Sequence, residues 1–248
     1  MFLQSLSLRK AGVILFFYSL AFSLHVSARP ATFLQDFRVT WSDSHIRQID
    51  GGRSIQLVLD QYSGCGFASK AKYLFGRVSM RIKLIPWRLC WDCHCLLYEF
   101  GHRCHYHLYT IFWNHQHIVF YVDDVPIRVY KNNEARGIPF PKLQPMGVYS
   151  TLWEADDWAT RGGLEKINWS RAPFYAYYKD FDIEGCPVPG PATCASNRGN
   201  WWEGATYQAL NALEARKYRW VRINHMIYDY CADKSRYPTT PPECAAGI

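Results

Sequence analysis

Long apolar runs are almost missing from this 248-residue chain. The one that stands out, Ala11 to Leu24, is too short to cross a bilayer comfortably, which argues against a membrane anchor. No basic helix or aromatic-basic strand is present, so nucleic acid is not an expected partner. The surroundings of the apolar run account for it. Arg9 and Lys10 precede it and the small residues Val26-Ser27-Ala28 follow, the layout of a secretory signal peptide over residues 1–28. Its removal would take two cations and no acid, lowering the formal charge from +7 to +5. A mildly basic secreted protein is steered toward anionic surroundings without becoming specific for them.

Helical segments of any length are also scarce, and strand signals dominate in their place. Ile55-Gln-Leu57-Val-Leu59 alternates, as does Val78-Ser-Met80-Arg-Ile82-Lys-Leu84, and period two gathers the apolar residues on one face. Ile118 to Val122, Asp123-Asp124, then Val125 to Tyr130 reads as a hairpin with a tight acidic turn. Strands joined by short turns imply an all-β fold, a curved antiparallel β-sandwich, and residues 29–248 suffice for one such core. Past Asp182 the texture changes. Gly185 to Pro191 reads as a stiff proline-rich connector, and Trp202-Glu203 to Lys217 as one amphipathic helix carrying Ala205, Ala209 and Leu213. Arg219 to Cys231 reads as extended and aromatic-rich.

The most informative stretch is Trp153-Glu-Ala-Asp-Asp-Trp-Ala-Thr-Arg-Gly-Gly163. Indole faces stack on the flat C–H faces of sugar rings, while carboxylates and a guanidinium take the hydroxyl edges. The duller reading makes Trp153 and Trp158 core residues beneath a charged turn. Against it stand the aromatic flanks: Tyr149 before the loop, then Trp169, Phe174, Tyr175, Tyr177 and Tyr178 after it.

The run from Pro139-Phe-Pro-Lys-Leu-Gln-Pro-Met146 through Tyr149-Ser-Thr-Leu-Trp153 to Trp169-Ser-Arg-Ala-Pro-Phe174 resembles the xyloglucan endotransglucosylase/hydrolase proteins of plant cell walls, in glycoside hydrolase family 16. Phe37-Arg-Val-Thr-Trp41, Leu59-Asp-Gln-Tyr-Ser-Gly64 and Tyr73-Leu-Phe-Gly-Arg-Val-Ser-Met80 resemble it too. The resemblance implies a jelly-roll, concanavalin-like sandwich over 29–184 and a C-terminal extension over 185–248 that contains one helix and lengthens the acceptor side of the cleft. It implies a secreted monomer of the apoplast and cell wall that needs no cofactor. Its partners would be xyloglucan polymer and oligosaccharides. The reaction would be a retaining cleavage of the β-1,4-glucan backbone with transfer to another xyloglucan end or to water. Asp157, Trp158, Gly162 and Arg236 match the family's glucan-binding positions.

Nine cysteines in a secreted chain imply disulfides and at least one leftover thiol. The resemblance pairs Cys186 with Cys194 and Cys231 with Cys244, and leaves Cys65, in Gly-Cys-Gly, as a half-buried thiol. Cys90, Cys93, Cys95 and Cys104, with His94, His102, His105 and His107, have zinc-ligand types, but a duller account of that segment removes the need for a metal.

The duller account concerns the chemistry. A retaining glycosidase needs two carboxyl groups roughly 5–5.5 Å apart, and the family carries them on a strand reading Glu-x-Asp-x-Glu. That pattern is absent from residues 29–248. The chain follows the family up to Ile85-Pro86 and again from Phe112-Trp-Asn-His115. Between them, Trp87-Arg-Leu-Cys-Trp-Asp-Cys-His-Cys-Leu96 is what ordinary codons for the family's Gly-Asp-Ser-Ala-Gly-Thr-Val-Thr-Ala-Phe give one base out of frame. Segment 87–106 is therefore anomalous. Tyr98-Glu99-Phe100-Gly101 would put Glu99 at the acid/base position, with Cys95 where the nucleophile belongs and Leu97 at the central Asp. Asn168-Trp-Ser170 is a glycosylation sequon of moderate quality. Three readings follow: a family enzyme with impaired catalysis, a non-catalytic xyloglucan binder or the product of a defective gene model, and a secreted metal-binding variant. Sequencing the transcript between the codons for Pro86 and Phe112 is expected to show the frame slip, and an uninterrupted reading of the present string would sink it.

Overall fold

The computed structural model describes residues 33–84, 105–157, 163–190 and 193–245. The signal-peptide segment and most of the anomalous segment, with Cys95 and Glu99, lie outside them, as do Trp158 and Gly162.

Two antiparallel sheets face each other. The larger has seven strands in the order β2-β3-β10-β5-β6-β7-β8: β2 (Ile46–Ile49), β3 (Ser54–Leu59), β5 (Lys72–Leu84), β6 (His107–Trp113), β7 (His117–Val122), β8 (Val125–Lys131) and β10 (Phe174–Val188). The smaller has three, β1 (Phe37–Trp41), β4 (Cys65–Ser69) and β9 (Tyr149–Leu152), in the order β1-β4-β9. The β7–β8 hairpin closes through Asp123 and Asp124 at φ 49° and 59°, the paired left-handed geometry of a two-residue turn that matches strand twist.

Period two decides what each sheet buries. Ile55, Leu57, Met80, Ala176 and Tyr178 point inward from the large sheet, and Phe37, Cys65 and Phe67 meet them from the small one. Phe67 is fully buried, with its ring against those of Phe33, Phe37, Tyr178 and Phe181 at 5.3–6.3 Å between centroids. The Cys65 thiol is free and buried, donates to the carbonyls of His45 and Val58, and is pushed up by burial.

Among the described residues the small sheet covers only part of the large one. Ile111 of β6 pairs across from Val78 and Phe120, on the inner face, yet it is 46% exposed. Strands β5 and β6 are antiparallel neighbours, with Ile82 opposite His107, so residues 85–106 join two adjacent strands.

Two expectations for the C-terminal third give way. Gly185 to Val188 are not a connector: β10 continues through them, pairing Gly185 with Gly76 and Val188 with Lys72. Strand β3 pairs β10 only over Phe174–Lys179, so Pro187 sits where β10 has one open side and a missing N–H costs little. The helix also lies further on. Residues Trp201–Glu203 and Ala205–Tyr207 form 3-10 turns, and the α-helix runs Ala212–Asn224, through residues read as extended. Asn211 sets its start, accepting from the N–H groups of Leu213 and Glu214 while the Glu214 carboxylate accepts from the Asn211 N–H. No residue of this helix is fully buried, and its start is marked by the capping box.

Disulfides join Cys186 to Cys194 and Cys231 to Cys244. Phe67→Ala is expected to cost about 3–5 kcal/mol, the usual price of a large cavity in a well-packed core. Urea unfolding checks it, and a loss under 1 kcal/mol would show that the two sheets are not held together there.

Candidate glucan-binding face

The outer face of the small sheet is built from short strands that carry their core residues on one side and leave aromatics on the other. Ser150 and Leu152 of β9 turn inward, where the Ser150 hydroxyl donates to the Tyr178 hydroxyl at 2.8 Å. Tyr149 and Trp153 therefore turn outward, 63% and 48% exposed. Trp41, at the end of β1, lies on the same outer side: a Cβ at Gly66 would meet its indole nitrogen at 2.5 Å and the Thr151 methyl at 3.0 Å. Glycine at position 66 lets the indole lie flat across β4. Three exposed rings therefore share one face of the small sheet, a flat apolar surface of the kind that can take a sugar ring.

The loop after β9 is tied down by its own carboxylates. Glu154 accepts from the Asp156 N–H, Asp156 accepts from the Ile167 N–H at 2.8 Å, and Lys166 donates to the Asp156 carbonyl at 2.8 Å. Gly163 closes the loop at φ 88°, where a Cβ would come within 2.7 Å of the Asp156 carbonyl. Asp156 is thus structural. Asp157 beside it is exposed.

Arg236 lies in the tail, exposed, with its N–H donating to Asp233 at 3.0 Å and its guanidinium beside the Tyr237 ring. Among the described residues no hydrogen bond or ion pair joins Arg236 to the Asp157 loop. Tail and sheet nonetheless share a side. Arg128 stands opposite Phe120, on the inner face, and stacks over Tyr230 at 5.6 Å. The helix packs on β8, with Tyr218 against the cluster of Phe112, Val119 and Val129 on the outer face of the large sheet. The extension therefore wraps the β8 edge, helix on one face and tail on the other.

Asn168 is exposed and caps a short 3-10 turn, its side-chain Oδ1 accepting from the Ser170 N–H and hydroxyl. Among the described residues no group of three or more His, Cys, Asp or Glu side chains is arranged to hold a metal. Sequence reasoning missed Trp41 as a member of this face. The available signal was a Trp closing one strand beside a Gly-Cys-Gly on the next.

The fold is a two-sheet antiparallel sandwich with aromatic rings on one outer face and a C-terminal extension wrapped round the β8 edge. The chain belongs to glycosyl hydrolases family 16, whose model matches residues 33–88 and 95–171, and the model for the xyloglucan endo-transglycosylase C-terminus matches residues 196–244. It is 60% identical to probable xyloglucan endotransglucosylase/hydrolase protein 6 of Arabidopsis thaliana, covering 90% of this chain and 91% of that one. It is 58% identical to protein 7 of the same group and organism, over 94% and 96%. A xyloglucan endotransglucosylase, protein 34, of Populus tremula x Populus tremuloides is 41% identical over 86% and 87%. Among solved structures, an apo Crh5 transglycosylase matches 62% of this chain and 80% of that one at 19% identity and a TM-score of 0.46.

The first of these alignments spans 267 positions while taking in 90% of 248 residues, or about 223, so about 44 positions of the relative face a gap here. The family match itself breaks between residues 88 and 95.

Tyr149→Ala is expected to leave stability within about 0.5 kcal/mol, as at an exposed site without packing, and to weaken oligosaccharide binding several-fold. Thermal melts alongside calorimetry check both. A stability loss near 2 kcal/mol would return Tyr149 to packing.

Proposed function

We propose that this protein works on xyloglucan in the plant cell wall, as the names of its relatives indicate, and that it holds the glucan while its own catalysis is impaired. The observation that carries the reading is the pairing of an intact aromatic face with an absent Glu-x-Asp-x-Glu strand. Trp41, Tyr149, Trp153 and Trp158 stack on the glucan, and Asp157 accepts from its hydroxyls. Gly162 lets backbone come close, and Arg236 donates from the extension. The absence of a second carboxyl partner for Glu99 leaves double displacement without a nucleophile, because Cys95 occupies that place. Secretion through residues 1–28 to the apoplast, glycosylation at Asn168 and action as a monomer belong to the same reading.

The support from the sequence is length: about 44 positions of the relative have no counterpart in this chain, and the family match breaks between residues 88 and 95.

The test is to express residues 29–248 in a secretory host, confirm folded material, and assay labelled xyloglucan polymer and oligosaccharide for exchange and new reducing ends. Trp158→Ala is expected to cost about 1–3 kcal/mol of oligosaccharide binding, with exchange at background in the parent chain. Exchange above that of a Glu99→Gln control would restore Glu99 as a catalytic residue and overturn the impairment.

A further inference from the structure

The outer face of the large sheet, opposite the small one, carries a groove of about 660 Å3 that the aromatic face does not use. Its floor is Arg77 and Ser79 of β5 with Thr110 and Phe112 of β6, and the 201–214 segment forms its far wall. Rings stand along it: Phe112, Trp201 and Tyr207 have centroids 5.1–6.0 Å apart, and Tyr207 is 40% exposed.

His117 makes this groove more than a packing gap. It is 95% buried (5% relative exposure), it lines the groove, and its backbone N–H is held by Asn114 at 3.0 Å. Its ring nitrogens are not among the buried side-chain atoms left without a partner, so water reaches the ring edge from the groove. An imidazole edge on the wall of a groove can exchange that water for a ligand hydroxyl. Burial holds the ring below its usual pKa, against Glu214 and Glu203, with Lys131 assisting. Neutral imidazole offers one donor and one acceptor.

The charge pattern limits what fits. Asp124, Asp182 and Glu214 line the groove against Arg77 alone, and Arg77 is spent on Asp182 and Glu184 at 2.8 and 2.6 Å. An anion is therefore repelled. The helix N-terminus offers it nothing either, because Asn211 already takes the N–H groups of Leu213 and Glu214. No metal-holding group exists there among the described residues. An uncharged ligand with hydroxyls on its edges and flat apolar faces matches rings, carboxylates and a donor–acceptor imidazole together.

We propose that the outer groove is a second glycan site, taking a neutral oligosaccharide whose hydroxyl edge is read by His117. The identity of the glycan as xyloglucan rests on the reading of the aromatic face. The existence of the site does not. Two sites on opposite faces let one molecule bridge two glucan chains, with avidity beyond either site alone.

The experiment titrates a xyloglucan oligosaccharide into 15N-labelled protein and follows the His117 ring nitrogens, with signals around Asp157 reporting the aromatic face. In Trp158→Ala protein the oligosaccharide is expected still to shift the His117 ring. Thr110→Trp, which fills the groove from a half-buried position on its floor, should then lower the residual affinity at least tenfold at unchanged melting temperature. Thr206→Arg on the exposed rim serves if Thr110→Trp does not fold. An unmoved His117 ring, or residual binding indifferent to both variants, overturns the second site. Movement at His117 with none around Asp157 would instead overturn the aromatic-face reading and keep this one.

Discussion

Phe67 is the hinge of the architecture. Among the described residues the small sheet has three strands, two of them edges, and its apolar inner face is buried against the large sheet. Its attachment is the aromatic contact in which Phe67 meets Phe33, Phe37, Tyr178 and Phe181. The outer face inherits its position from that contact, because alternation along β4 and β9 turns Gly66 and Tyr149 outward only while Phe67 and Ser150 turn inward. A one-residue slip would bury the binding rings and expose the core.

The extension is fixed by different means. Asn114, fully buried, donates to the carbonyls of Trp202 and Tyr207 at 2.8 Å each. Glu203, its side chain 1% exposed, accepts from His115 at 2.7 Å, and Trp201 donates to Glu184 at 2.8 Å while Arg77 stacks on its ring. Such buried polar contacts give register more than net stability. They set where the helix meets β8 and hence where the tail and Arg236 emerge. The wrapped extension and the loop after β9 are thus held by independent sets of contacts.

The strands were legible because their alternation is strict: Ile55–Leu59, Val78–Leu84 and the Asp123-Asp124 hairpin lie where the pattern puts them. The helix was misplaced because Ala205, Ala209 and Leu213 keep helical spacing by chance. The decisive signal was the capping box of Asn211 and Glu214, a local hydrogen-bond pattern rather than a periodicity. Gly185–Val188 looked like a connector from composition, and only the open side of β10 explains how Pro187 joins a ladder. At the site, Asp157 and the aromatic flank were visible as residue types, whereas Trp41 became part of the face through cross-strand pairing that sequence distance hides.

The account's central claim is that glucan binding survives while covalent chemistry is lost. The measurement that bears on it most directly is acid-quenched mass spectrometry of the folded chain after incubation with excess xyloglucan, paired with equilibrium binding on the same preparation. The account predicts saturable binding and no protein mass carrying a covalent glycosyl group. A glycosyl-enzyme adduct would contradict it, and so would folded protein with no affinity for the glucan.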